Sequence, residues 1–292
     1  MNEPKVGVKF DHKQIEERWI GVWDREQTYA MPKRTGKAKS YVLGMFDSGS
    51  GGLSVLLEIR KRLPWADVVY LGDIKNAPYG GRTREELGAL TVLDIEKLLN
   101  EGATKIVSAC NSVSASMMLP MLSILGIRPF DLVEMVGPTV KALRNEKRKI
   151  LLLATPATVS SGIYRQGFAV VDKKIEEAAI PDLAGMIEFG ASGSEMTEVI
   201  RKAIGEERGF GVLLLGCTHY PLIKNIFEKV LQKLKVKAEI VDPAGFVAAE
   251  VVKTMAENGN GKTKFLITKE SGLFRKRVGE MFGESGVEVE VI

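Results

Sequence analysis

From Tyr41 onward, short apolar runs alternate with longer amphipathic stretches. The runs are Tyr41 to Phe46, Val68 to Leu71, Lys105 to Ala109, Lys149 to Ala154, Gly211 to Leu215 and Ala238 to Val241, with Gly, Pro or Asp at or near their ends. Runs of this length, without polar alternation, read as strands of a parallel sheet buried on both faces. Between them, Leu53 to Leu63, Arg84 to Asn100, Ser194 to Ile204 and Ile223 to Leu234 read as helices. The fold class is therefore α/β, assembled from βαβ units.

Two Pro-containing stretches, Gly137-Pro138 and Asp242-Pro243-Ala244, interrupt this pattern and are the expected crossing points between domains. The expected organisation is a first domain of residues 41–136 plus 244–292 and a second of residues 137–243. Residues 1–40 differ in character. Ile15, Trp19, Val22 and Trp23 have near-helical spacing after Asp11, a suitable N-cap, and Met31 to Lys37 is basic and carries Pro and Gly. An appended helix and linker are expected there.

The length of 292 residues suits two domains, and 45% hydrophobic with 27% charged residues is the usage of a soluble globular chain. The net charge of +4 is dispersed along the sequence, which argues against a nucleic-acid track. No apolar run approaches the roughly eighteen residues of a membrane span, and Glu3, Lys5 and Lys9 interrupt any secretory core, so a cytoplasmic protein is expected. With only two cysteines in so long a chain, free thiols are expected over a disulfide.

Those cysteines occupy the same local setting. Cys110 ends Lys105-Ile-Val-Ser-Ala-Cys and is followed by Asn111-Ser112; Cys217 ends Val212-Leu-Leu-Leu-Gly-Cys and is followed by Thr218-His219. Ligands of open α/β sheets bind beyond the carboxyl ends of strands, so both thiols stand where a site would form. A lone buried cysteine is commonly an inert small hydrophobe, but two in matching settings weigh against that reading. His219 is one of two histidines in the chain, and an imidazole two residues from a thiol can favour its reactive form. Two Cys and one well-placed His leave too few ligands for a closed structural zinc site.

Asp47-Ser48-Gly49-Ser50-Gly51-Gly52 follows the first strand directly. Its glycines permit close approach of a ligand, but neither a P-loop ending nor a dinucleotide fingerprint is present. Asp47 can accept a proton, orient a thiol or hold an ammonium group, and is equally a capping Asp in a tight turn. Asn76-Ala-Pro-Tyr-Gly-Gly81 is a rigid turn whose Tyr79 either closes over a small ligand or is an exposed aromatic.

At these motifs the chain resembles the glutamate racemases of the aspartate/glutamate racemase superfamily. The resemblance spans residues 41–292 and rests on Phe46-Asp-Ser-Gly-Ser-Gly-Gly-Leu, Asn76-Ala-Pro-Tyr-Gly, Ala109-Cys-Asn-Ser and Leu215-Gly-Cys-Thr-His-Tyr-Pro-Leu, in the family's order. It implies two similar doubly wound α/β domains with pseudo-twofold symmetry, and a site in the cleft between them. It further implies interconversion of L- and D-glutamate for peptidoglycan synthesis, with no cofactor. By the resemblance, Cys110 and Cys217 transfer the proton on opposite faces of the substrate, Asp47 assists Cys110, and His219 assists Cys217. Glu188 corresponds, through a looser match, to a further acidic residue. Ser48, Tyr79, Gly80, Asn111, Ser112 and Thr218 fall on substrate-binding positions with Asp47 and His219. Ser112 departs from the Thr usual there, but keeps the hydroxyl. Glutamate is the expected partner, and a homodimer stands beside it as a candidate assembly.

Residues 8–46 resemble a different family. Phe10-Asp-His-Lys-Gln-Ile-Glu-Glu-Arg-Trp-Ile-Gly-Val-Trp, followed by Lys39-Ser-Tyr-Val-Leu-Gly-Met-Phe, is similar to the N-terminus of a leucyl-tRNA synthetase up to just before its nucleotide-binding motif. That motif is missing, so synthetase activity is not expected, and the segment reads as a fusion remnant or a docking element.

Removing the α-proton of an amino acid without a pyridoxal ring leaves carbanion stabilisation to the protein. An ordinary thiol, with a pKa of about 8.5, is mostly protonated at neutral pH, so one cysteine must be favoured as thiolate while the other stays a thiol. Aspartate or broad-specificity racemisation, and an inactive amino-acid-binding protein of this fold, are the alternatives.

Overall fold

The computed structural model describes residues 41–114, 128, 131–205, 209–255, 259–283 and 288–292, and within them every expected apolar run is a strand. The expected N-terminal helix, the basic linker and residues 8–40 of the synthetase-like segment lie outside the described residues. Everything described belongs to a single compact unit spanning residues 40–292.

In chain order the strands are β1 (Val42–Asp47), β2 (Asp67–Gly72), β3 (Ala103–Ser108), β4 (Leu132–Val133), β5 (Ile150–Ala154), β6 (Glu176–Ala179), β7 (Val212–Gly216), β8 (Glu239–Val241), β9 (Thr263–Ile267) and β10 (Val289–Val291). They form two sheets, β10-β9-β2-β1-β3-β4 and β6-β5-β7-β8, and every described pairing is parallel. The order β2-β1-β3-β4 in the first is repeated as β6-β5-β7-β8 in the second. The strand leading to Cys110 thus corresponds topologically to the strand leading to Cys217.

The uninterrupted apolar runs follow from burial on both faces. Leu43 and Met45 of β1 join Val68 and Tyr70 in one core, while Phe46 joins Val69 and Leu71 in another across the sheet. In the second sheet Leu151, Leu153, Leu213 and Leu215 face one way and Ile150, Leu152, Val212 and Leu214 the other. With two layers of packing on each sheet, the loops at the carboxyl strand ends are left to meet between the sheets.

The helices Leu53–Arg62, Arg84–Asn100, Gly193–Ile204 and Lys224–Lys233 match their expected positions. Arg84–Asn100 and Gly193–Ile204 begin in full capping boxes, Thr83 with Glu86 and Ser192 with Glu195. Gly137-Pro138 proves to be no interruption: both lie in the first turn of the helix Val136–Leu143. A proline is tolerated there because first-turn N–H groups have no intrahelical partner. The crossing between sheets still occurs in this stretch, since β4 belongs to the first sheet and β5 to the second. Among the described residues no helix is long and apolar enough to cross a membrane.

Candidate active site

The turn after β1 packs directly against Glu188, Thr218 and His219. A methyl group on Gly51 would fall 2.6 Å from both His219 Nδ1 and Thr218 Oγ1, and one on Gly49 would fall 2.8 Å from the Glu188 carboxyl carbon. Only hydrogen at these Cα atoms lets the first sheet's turn press against the second sheet's side chains. Ser48 is buried in the same turn. Tyr70 Oη donates to Gly49 O at 2.7 Å, holding the turn from beneath.

Asp47 is fully buried at the end of β1. Its Oδ1 accepts from Gly49 N at 3.0 Å, and its Oδ2 accepts from Thr218 Oγ1 at 2.9 Å. Burial raises the carboxyl above its ordinary range, with His219, Thr218 and Gly49 pulling the other way. The aspartate at the end of one central strand is thus bonded to the residue that follows the opposite cysteine.

Cys110 and Cys217 are both free thiols, 5% and 6% exposed. Burial pushes the Cys110 thiol up, the nearby Asp47 carboxylate adds to this, and Cys217 is close enough to contribute through its own charge. Backbone N–H groups of Val113 and Ser112 oppose the shift by pointing at the Cys110 sulfur. Asn111 accepts at Oδ1 from Tyr164 Oη at 2.6 Å, while its Nδ2 is buried without a partner among the described residues. Ser112 Oγ lies 2.9 Å from Thr155 Oγ1, the N-cap of the helix Pro156–Ser161 in the second lobe.

Around Cys217 the arrangement is a relay. His219 Nδ1 lies 3.8 Å from Cys217 Sγ, and His219 Nε2 lies 2.9 Å from Glu188 Oε2. Burial alone would lower the imidazole's pKa; its bonds to Cys217 and Glu188 outweigh burial and raise it well above the usual value. Glu188 shows the reverse balance, with burial raising it and the bonds from His219 and Ser50 bringing it below the usual carboxylate range. The shifts agree: an imidazolium and a carboxylate stabilise each other here. Glu188 Oε2 also accepts from Ser50 N at 3.0 Å and Ser50 Oγ at 2.5 Å.

Tyr79 is buried, not exposed, and its hydroxyl is committed elsewhere. It donates to Asp73 Oδ2 at 2.6 Å and lies 3.0 Å from Asp94 Oδ2. A phenol has one proton to donate, so the second contact is a hydrogen bond only when Asp94 is protonated. Asp73 already accepts from Asn76 Nδ2 and Thr268 Oγ1, and burial with Asp73 nearby pushes Asp94 up to about 7. Gly80 meets the second lobe through its carbonyl, which accepts from Ala157 N at 2.8 Å. A methyl on Gly80 would fall 2.8 Å from Thr155 Cβ.

The structure therefore brings together Asp47, Thr218, Cys217, His219 and Glu188 directly, and joins Asn111 and Ser112 beside Cys110 to the second lobe. Residues unmarked by local sequence also enter. Thr155 and Tyr164 meet the Cys110 motif, Asp73 and Asp94 hold Tyr79, and Arg277 reaches Glu188. Thr155 and Asp73 had an available signal, since they directly follow β5 and β2 as Asp47 ends β1.

Residues 59–251 match the family model described as Asp/Glu/Hydantoin racemase. A glutamate racemase of Carboxydothermus hydrogenoformans is 37% identical over 238 residues, covering 77% of this chain and 86% of that protein. Glutamate racemase 1 of Caldanaerobacter subterraneus subsp. tengcongensis is 31% identical over 263 residues, covering 86% and 96% respectively. The crystal structure of a glutamate racemase isoform from Bacillus anthracis superposes with a TM-score of 0.77 at 28% identity, covering 87% of this chain and 98% of that one. That of the Francisella tularensis glutamate racemase, solved in complex with D-glutamate, gives a TM-score of 0.74, also at 28% identity and with the same coverage.

Proposed function

The chain belongs to the glutamate racemase family of amino-acid racemases, and from that premise we propose that it interconverts L- and D-glutamate by passing the α-proton between Cys110 and Cys217. The observation that carries the mechanism is the position of the thiols. They follow corresponding strands of two sheets with the same strand order, Cys217 lies close enough for its charge to bear on Cys110, and each has its own polar support.

In one direction the Cys217 thiolate removes the α-proton, forming S–H, and the Cys110 thiol delivers its proton to the opposite face of the carbanion, becoming the thiolate. The reverse direction exchanges these roles. His219, as an imidazolium held by Glu188, presents Nδ1–H toward Cys217 and stabilises negative charge on that sulfur. Burial and the Asp47 carboxylate favour Cys110 as the protonated thiol. Two-base chemistry needs one thiolate and one thiol at a time, and Cys110 is favoured as the thiol. Acid–base placement accounts for roughly 10² to 10⁴ of rate, leaving the rest to stabilisation of the developing carbanion.

Asn111 Nδ2, buried and unpartnered among the described residues, is a donor suited to a substrate carboxylate. Ser48, the Tyr79-Gly80 turn, Ser112 and Thr218 complete the binding surface in this reading. The same reading divides the chain into domains of residues 41–136 with 244–292 and residues 137–243. It assigns the product to peptidoglycan synthesis in the cytoplasm and admits a homodimer.

Circular dichroism of L-glutamate and, separately, D-glutamate incubated with the protein and no added cofactor tests the proposal. Both signals should decay to zero. Persistence of both signals would refute glutamate racemisation, and decay with aspartate instead would reassign the substrate.

A further inference from the structure

Arg277 lies on the helix Gly272–Phe282, which packs with the first sheet and stands far in sequence from both cysteine motifs. Its guanidinium nevertheless crosses to the helix Leu183–Phe189 of the second lobe. Nη2 donates to Ile187 O at 2.6 Å, while Nη1 donates to Glu188 Oε2 at 3.4 Å and to Ser50 Oγ. The side chain is only 14% exposed and Glu188 only 2%, so solvent screens their attraction poorly. A planar fork meeting a backbone carbonyl, a hydroxyl and a carboxylate holds Glu188 in place, beside the bonds from His219 and Ser50 that keep it a carboxylate.

We infer that Arg277 is a positioning residue for the proton-transfer site: by holding Glu188 in place as a carboxylate it sets the proton on His219 and, through it, the reactivity of Cys217. The contacts run Arg277, Glu188, His219, Cys217, with alternating charge in the first three. The other titratable or charged groups bearing on this line are Asp47 and Tyr70, which act on Glu188, Glu280 beside Arg277, and Cys110, Tyr164 and Tyr220 around Cys217. None of these replaces a cation lost from position 277, so neutralising Arg277 makes negative charge at Cys217 less favourable. The inference rests on the reading of Cys217 as a proton-transfer residue, but its test does not need turnover.

The test is the pH dependence of Cys217 alkylation by iodoacetamide in a Cys110→Ser background, where one thiol remains, compared with the same background carrying Arg277→Met or Arg277→Lys. Arg277→Met should move the alkylation limb upward by about half a pH unit or more, and Arg277→Lys, which keeps the charge, should restore most of it. The kcat/KM profile of the Cys110-containing chain should move the same way. An unmoved limb, or a rate lowered equally at every pH as a purely structural strap would give, overturns the inference. Absence of glutamate turnover in the unsubstituted chain would instead overturn the racemase reading, leaving the alkylation result to decide the role of Arg277 separately.

Discussion

His219 Nε2 and Glu188 Oε2 stand 2.9 Å apart with both side chains buried, one raised and the other lowered in pKa, so the pair is held as imidazolium and carboxylate. The stability from His219 is present below its unfolded value of about 6.5 and is lost as pH rises through its higher folded value. That from Glu188 is present above its unfolded value of about 4.3 and is lost as pH falls through its lower folded value. Both contributions are complete between these two unfolded values. Glu188→Gln should therefore cost about 1 to 3 kcal/mol at about pH 6 and less once His219 has lost its proton. Urea denaturation across the pH range measures this, and an equal loss at all pH values would contradict the charged pair.

Cys110→Ser and Cys217→Ser should each abolish racemisation in both directions, a loss of at least about 10²-fold, because each turnover uses one thiol as base and the other as acid. Circular dichroism of either enantiomer checks it. Full activity in either variant would defeat the two-base mechanism.

Thr218→Val removes the hydroxyl that donates to Asp47 Oδ2 at 2.9 Å and leaves a buried carboxylate oxygen without that donor. The expected cost is about 1 to 3 kcal/mol of stability, with Asp47 pushed further toward protonation. Denaturant titration and the acid limb of the kcat/KM profile measure the two effects. An unchanged profile would separate Asp47 from catalysis.

Gly51→Ala adds a methyl 2.6 Å from His219 Nδ1 and Thr218 Oγ1, on a turn and a motif that are both fully packed. We expect about 1 to 3 kcal/mol of destabilisation and an activity loss of tenfold or so, as the two lobes are wedged apart at the site. Wild-type activity in this variant would mean that the close approach is not needed for catalysis.

Asp94→Asn should stabilise the protein by about 2 kcal/mol at about pH 8 and much less at about pH 5. Burial beside Asp73 raises the Asp94 carboxyl to about 7, so its contribution falls as pH rises from its unfolded range through that value. An amide imitates the protonated acid and still reaches the Tyr79 hydroxyl. Thermal unfolding at the two pH values decides it; destabilisation at both would show that Asp94 is needed as a carboxylate.

Much of this was legible in the chain itself. Runs such as Ile150 to Ala154 and Val212 to Gly216 declare themselves because a strand buried on both faces needs every side chain apolar. The matching settings of Cys110 and Cys217 are visible for the same reason, since each thiol ends such a run. The edge strand Glu176–Ala179 was hidden because one polar, half-exposed strand needs no such pattern, and Leu132–Val133 is too short to carry one. Pro138 misled because a helix accepts proline in its first turn.

Sequence by itself determined the α/β class, the two thiols at strand ends, the glycine turn after Asp47 and the His219 beside Cys217, all of which depend on neighbours along the chain. Only the tertiary structure decided that Asp47 bonds Thr218, that Glu188 holds His219, that Tyr79 turns its hydroxyl to Asp73 and Asp94, and that Arg277 joins the relay. These partners come from elements far apart in sequence, and no local periodicity records which loop ends meet when two doubly covered sheets are packed together.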